Sequence, residues 1–271
     1  MINRFYISLL IISSFLHTNI LHAEDLSINA KTIEIEKTNK IVNAIGDVEV
    51  TDKKKNNIKS KKIKYDKNKQ ILNTFGETRI FTSQGYTVKT KNVLYDNNKR
   101  IFSSNNETEI VDKNGNTIVV NMFNYIVDKS MFLSAGKIKI IDNKNNEYYF
   151  SEIYIDEKKG QIVGSDIRAF LNDGSFKYDS RNQPRFFANS ATINKDNTIF
   201  NKAIFTSCQK RENDKCPPWT IRAKEIKHSS AKKTIYYDNA LLRIYDFPIF
   251  YFPQFFHPDP TVKRQSGFLM P

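Results

Sequence analysis

Residues 58–80 read IKSKKIKYDKNKQILNTFGETRI, and residues 88–110 read VKTKNVLYDNNKRIFSSNNETEI, the same pattern thirty positions on. The register extends in both directions. Ile28, Ile58, Val88, Ile118 and Tyr148 form one column; Ile33, Ile63, Val93, Phe123 and Ile153 a second; Ile35, Tyr65, Tyr95, Tyr125 and Ile155 a third. Ile41, Ile71, Ile101 and Met131 align, as do Val50, Ile80, Ile110 and Ile140. A fixed period of this length is the mark of a stacked repeat.

Each unit predicts two strands, because β-branched and aromatic residues alternate with polar ones. Turn clusters such as EKTNK (36–40), DKNK (66–69) and DNNKR (96–100) separate them. Gly46, Gly76, Asn106 and Gly136 share a column in the second strand, and Asn is the best substitute for Gly where φ is positive. The column predicts a bulge or corner. Ile28 and Ile33 are an odd number of residues apart, so a straight strand would send them to opposite faces. A bend between them lets both point inward, and the odd step recurs in every unit. The expected fold is all-β: a repeat-built, folded-over sheet or jelly roll of about seven two-strand units, ending near Ile244, with an open hydrophobic interior. All prolines lie at or after Pro184, leaving the regular units free for ladder pairing. The first strand, Ser27–Glu36, has no repeat before it; Ser27, Ile28, Asn29, Ala30, Ile33 and Ile35 therefore form an edge on which a partner strand can add.

Composition narrows the function. The chain has 271 residues, a net charge of +13, 39% hydrophobic and 13% aromatic residues, two cysteines and four histidines. Its mean hydropathy is −0.53. These values exclude a helical membrane bundle, a disulfide-dense scaffold and a four-cysteine zinc site. No metal site is expected. No G-x-S-x-G, H-E-x-x-H or Gly-rich phosphate loop occurs, and the expectation is a protein without catalytic residues or cofactor. Lys53–Lys55 and Lys61–Lys62 are either solvated loop and surface residues or attractors of anionic groups. Residues 1–23 have one cation, Arg4, an apolar run from Phe5 to Leu16 and a closing Ala23, the order of a cleaved signal peptide. Export makes nucleic acid an improbable partner. The expected organisation is a signal peptide (1–23), one β-domain (24–245) and a Pro/aromatic link (246–271).

That link reads DFPIFYFPQFFHPDP (246–260) and TVKRQSGFLMP (261–271). Together with the signal segment, ANSATINKDNTIFNKAIFTSC (188–208) and WTIRAKEI (219–226), it resembles the N-terminal half of the LptD (OstA) family of outer-membrane lipopolysaccharide assembly proteins. The distinctive part is P-I-F-Y-x-P…K-R-x-S-G-F-L-x-P, carrying Pro248, Phe250, Pro253, Pro258, Arg264, Ser266, Gly267 and Phe268. The resemblance implies a periplasmic β-jelly roll, or β-taco, at the periplasmic face of the outer membrane. It would take lipopolysaccharide from an LptA-like bridge at the N-terminal edge and pass it toward a barrel plugged by an LptE-like lipoprotein. No barrel strands lie within these residues, so the expectation is a fragment of a longer product or a barrel on a separate chain. The lipid columns would be Ile33, Ile63, Val93, Phe123, Ile153 and Ile35, Tyr65, Tyr95, Tyr125, Ile155. Cys208 and Cys216 flank a polar loop and suit a local disulfide; the resemblance implies instead a bond from Cys208 to the barrel. A free-standing LptA-like bridge and a β-helix adhesin or polysaccharide lyase are the rival readings.

Overall fold

A computed structural model describes residues 26–52, 55–171, 183–208, 217–258 and 262. Among them are nineteen strands and no helix: β1 (Leu26–Asn29), β2 (Thr32–Glu36), β3 (Ile41–Asp52), β4 (Asn57–Asp66), β5 (Ile71–Phe81), β6 (Thr87–Lys91), β7 (Leu94–Asp96), β8 (Ile101–Ser104), β9 (Thr108–Val111), β10 (Thr117–Val120), β11 (Phe123–Ile126), β12 (Met131–Ile141), β13 (Glu147–Asp156), β14 (Gln161–Phe170), β15 (Arg185–Ile193), β16 (Asn197–Thr206), β17 (Trp219–Ser229), β18 (Thr234–Ile244) and β19 (Phe247–Pro258). All join one antiparallel sheet in which sequence neighbours pair. The pairs β1/β2, β6/β7, β8/β9 and β10/β11 each fill one strand's place, broken at mid-length; β1 and β2, for example, both pair with β3. Nineteen strands with four such breaks make fifteen places, in line with about seven two-strand units.

A lone sheet with an apolar face has nothing to bury it against, so it must fold over on itself. The corner is written into every strand. In β4 the inward residues are Ile58 and Ser60, then Ile63 and Tyr65, all buried. The parity changes between Ser60 and Ile63, where the pairing with β5 slips. In β3 the inward pairs are Val42, Ala44 and Val48, Val50, and Gly46 at φ 81 with Asp47 at φ 47 makes the bend opposite a register shift. Gly76 and Gly136, at φ 77 and 100, repeat this in β5 and β12. The expected corner thus holds at the three glycines. Asn106 departs from the expectation: it does not take a positive φ, and the strand breaks instead into β8 and β9. Its amide Nδ2 donates to the Lys91 carbonyl at 3.1 Å, replacing a ladder bond.

The hairpins at each end of the strands also repeat. Lys40, Gln70, Arg100, Ser130 and Gly160 all take positive φ at the last turn position. Each such turn donates to the one before it: Lys67 N to Lys40 O, Asn97 N to Gln70 O, Val127 N to Arg100 O and Glu157 N to Ser130 O, at 2.9–3.0 Å. On the opposite rim, Asp112 and Asp142 each accept from both the backbone N and the Nδ2 of Asn116 and Asn146, and Asn116 Oδ1 accepts from Asn143 N of the next turn.

Within the segment expected as a link, residues 247–258 form β19, paired with β18 along its length. Its prolines are tolerated there because, among the described residues, β18 is the one strand in register with β19. Residues 1–23, Cys216, Arg264, Ser266, Gly267 and Phe268 lie outside the described residues.

Gly164 shows how tightly the corner is filled. A Cβ there would overlap Cδ1 and Cε1 of the Phe150 ring. Gly164→Ala should therefore destabilise the chain by about 1–3 kcal/mol, the usual cost of overpacking. Phe150→Leu should recover part of that loss in the double variant. Urea unfolding measures both; an unchanged midpoint for Gly164→Ala contradicts the packing.

Candidate lipid-holding interior

The folded sheet has two inner walls, each with two rows of side chains: one at the corner and one at the mouth. The structure places the columns named from the sequence on one wall. Ile63, Val93, Phe123 and Ile153 form its corner row and are 0–4% exposed. Tyr65, Tyr95, Tyr125 and Ile155 form its mouth row, where Tyr65 and Tyr95 are buried and Tyr125 and Ile155 half-buried. Ile33 and Ile35 belong to the same rows on β2, but they are 44% and 63% exposed because among the described residues β2 is in register with β3 alone. The corner row is packed core. The partly exposed row is the mouth.

The sequence columns point inward on both walls, but those named as lipid lining lie on one wall alone. Ile58, Ile80, Val88, Ile110, Ile118, Ile140 and Tyr148 form the facing mouth row. Leu72, Phe102, Phe132 and Ile162, another thirty-residue column, complete the first wall. From Val88 to Ile193 the mouth residues Phe102, Ile118, Tyr125, Ile140, Tyr148, Ile155 and Ile162 are half-buried, an apolar seam between the two rims.

Tyrosines finish that seam by offering a ring to the interior and a hydroxyl to the rim. Tyr65 OH donates to Gln70 Oε1 at 3.2 Å, Tyr95 OH to Asn97 Oδ1 at 2.9 Å, and Tyr125 OH to Glu157 Oε2 at 2.8 Å. On the facing wall Tyr148 OH donates to Asp142 Oδ2 at 3.2 Å. Burial first, and then the neighbouring carboxylates, push the Tyr125 and Tyr148 hydroxyls above the ordinary phenol range, so both remain donors.

The outer faces are charged for most of the sheet, with exposed cross-strand pairs such as Lys59–Glu49, Lys89–Glu109 and Lys139–Glu147. Lys61 and Lys62 point outward, and Lys62 Nζ lies 5.5 Å from the Phe75 ring centroid. The last strand differs: Phe247, Ile249, Tyr251 and Phe256 stand on its outer face at 53–73% exposure. Of the link motif, Pro248, Phe250, Pro253 and Pro258 lie on β19. Cys208 is half-buried, its Sγ 3.9 Å from the Trp219 carbonyl. His228 and His257 occupy inward positions on β17 and β19; His257 Nε2 lies 3.0 Å from Tyr237 OH and its Nδ1 2.7 Å from the Pro258 carbonyl. Among the described residues no group of His, Cys, Asp and Glu is placed to hold a metal ion.

The class defined so far is a single antiparallel sheet folded around an elongated apolar interior. No protein-family model matches the chain. Curated relatives carry one name, LPS-assembly protein LptD. The protein of that name from Mannheimia succiniciproducens is 30% identical over 117 residues, 41% of this chain and 14% of its own length. Those from Pasteurella multocida and Pseudomonas aeruginosa are 26% and 29% identical over 125 and 123 residues. The resemblance to LptD read from the motifs is thereby shown, and the matched stretch spans 12–15% of these relatives' length. Among solved structures, LptH of Pseudomonas aeruginosa, described as the LptA-homologous periplasmic component of the lipopolysaccharide transport device, aligns over 49% of this chain and 76% of its own at 14% identity and a TM-score of 0.22.

Corner and mouth positions should respond differently to truncation. Ile153→Ala should cost about 2–5 kcal/mol. Ile35→Ala, on the exposed strand, should stay within about 0.5 kcal/mol. Chemical denaturation of both variants checks this; similar losses would contradict the assignment of Ile35 to an uncovered edge.

Proposed function

We propose that this chain carries lipopolysaccharide, its acyl chains held between the two walls and its head group left outside the mouth. The observation that carries the reading is the half-buried apolar seam from Val88 to Ile193, on a chain similar to lipopolysaccharide-assembly proteins. Exposing each CH₂ to water costs about 0.8 kcal/mol, so a single twelve-carbon chain costs on the order of 10 kcal/mol. Such a lipid needs shelter at every step of its path. A seam of similar side chains at each thirty-residue step offers comparable burial throughout, and sliding along it requires no covalent chemistry. The chain is in this reading a carrier and not an enzyme.

Export by a cleaved signal peptide puts the domain at the periplasmic face of the outer membrane. The uncovered strand β2, with Ile33 and Ile35 exposed, accepts an LptA-like partner by strand addition, extending the inner rows without a gap. At the other end β19 and the residues after it lead toward an outer-membrane barrel and its LptE-like lipoprotein. Cys208 bonds either Cys216 or a barrel cysteine; non-reducing peptide mapping of the full gene product distinguishes the two.

A photocrosslinking residue at Tyr125 or Ile155 should capture lipopolysaccharide in cells, and one at the outward Lys62 should not. Capture from Lys62 alone would reject the reading. Ile33→Pro and Ile35→Pro each remove a strand donor at the edge and should abolish crosslinking to an LptA-like partner; retained crosslinking would remove the edge from the account.

A further inference from the structure

The interior is not uniform. One apolar cluster runs from Val42 to Tyr95 and a second from Ile110 to Ala240. Between and beneath them the corner is lined by hydroxyls: Ser60, Thr74, Thr78, Thr90, Ser104 and Thr108, none more than 9% exposed. They bond to one another. Thr74 Oγ1 lies 2.7 Å from Thr78 Oγ1, Thr90 Oγ1 is 2.8 Å from Thr108 Oγ1, and Thr90 Oγ1 donates to Ser104 Oγ at 3.2 Å. Two of these contacts, Thr74–Thr78 and Thr90–Ser104, cross the corner and join one wall to the other. Farther on, the facing corner residues are Val120, Phe123, Ser134, Ile138, Phe150 and Ile153; the buried hydroxyl among these, Ser134 Oγ, donates to the Met122 carbonyl, and the Ser151–Ser165 pair at 3.0 Å joins neighbouring strands at the bend.

Parting the walls to admit an alkyl chain therefore has a different cost in the two regions. Over the hydroxyl stretch it would leave buried O–H groups facing methylenes without partners, which is unfavourable. Over the aliphatic and aromatic stretch it exchanges one apolar contact for another. The half-buried mouth begins where the hydroxyl corner is ending.

We propose that the hydroxyl pairs Thr74–Thr78 and Thr90–Ser104 latch the walls together, dividing the interior into a short compartment that alkyl chains cross and a long one, beyond Ile110, where they dwell. This inference rests on the lipid-carrying reading and adds where along the sheet the chains reside.

The test uses the full chain and palmitic acid bearing a diazirine at its last carbon, with adducts mapped by peptide mass spectrometry. Adducts should concentrate between Ile118 and Ile155 over Ile58–Leu72 by about tenfold, the factor set by one unmade hydrogen bond between neutral groups. The double variant Thr78→Val/Thr90→Val, which removes both cross-corner contacts with little change of shape, should bring the two stretches to similar labelling. Equal labelling in the unaltered chain overturns the latch, and so does an unchanged bias in a folded double variant. Labelling spread evenly inside leaves the carrier reading standing. No inward labelling at all sinks that reading, and the latch with it.

Discussion

The corner within each strand is the constraint on which everything else hangs. A single sheet that must hide one face can do so only by bending, and bending a ladder costs pairing at the bend. This chain meets that cost in several ways: glycines at positive φ in β3, β5 and β12, a slipped pair at Lys61 in β4, and side-chain hydrogen bonds where β6 to β11 are broken. Ser104 Oγ donates to the Lys91 carbonyl at 2.7 Å and Ser134 Oγ to Met122 O at 2.7 Å, satisfying carbonyls beside the breaks.

Because each strand is bent alike, side chains fall into rows that run along the sheet, perpendicular to its strands. That arrangement links the repeat to the proposed transport. A row repeats its chemistry at every unit, so an apolar guest meets nearly the same surface as it advances. The turns reinforce the stacking, since each rim is laced by hydrogen bonds from one hairpin to the next. The two rims can thus act as continuous rails while the seam between them remains the softer element.

What the sequence disclosed follows from which features leave a residue signature. The thirty-residue columns were legible because burial demands an apolar side chain in nearly every repeat. Gly46, Gly76 and Gly136 were legible because their backbone angles favour glycine. The turn column Lys40, Gln70, Arg100, Ser130 and Gly160 was not, although all five share one backbone conformation, because no common side chain accompanies it. That the Ile58 column also points inward follows from the odd step to Ile63, which says that the chain bends; which residues then face each other across the interior does not follow from it. The link expected over 246–271 rests on a resemblance, which says nothing of local pairing; β19 carries three prolines because an edge strand needs donors on one side alone.

The most direct test of the central claim is to clamp the mouth. Cysteines introduced at Ile118 and Tyr125, the two mouth positions of one bent strand, can be joined by a short bis-maleimide in a Cys208→Ser, Cys216→Ser background. Lipopolysaccharide bound per chain is then measured with and without the clamp. If fatty tails shelter between the walls, the clamped chain should lose its bound lipid and the unclamped chain should retain it. Equal lipid on both would contradict the account.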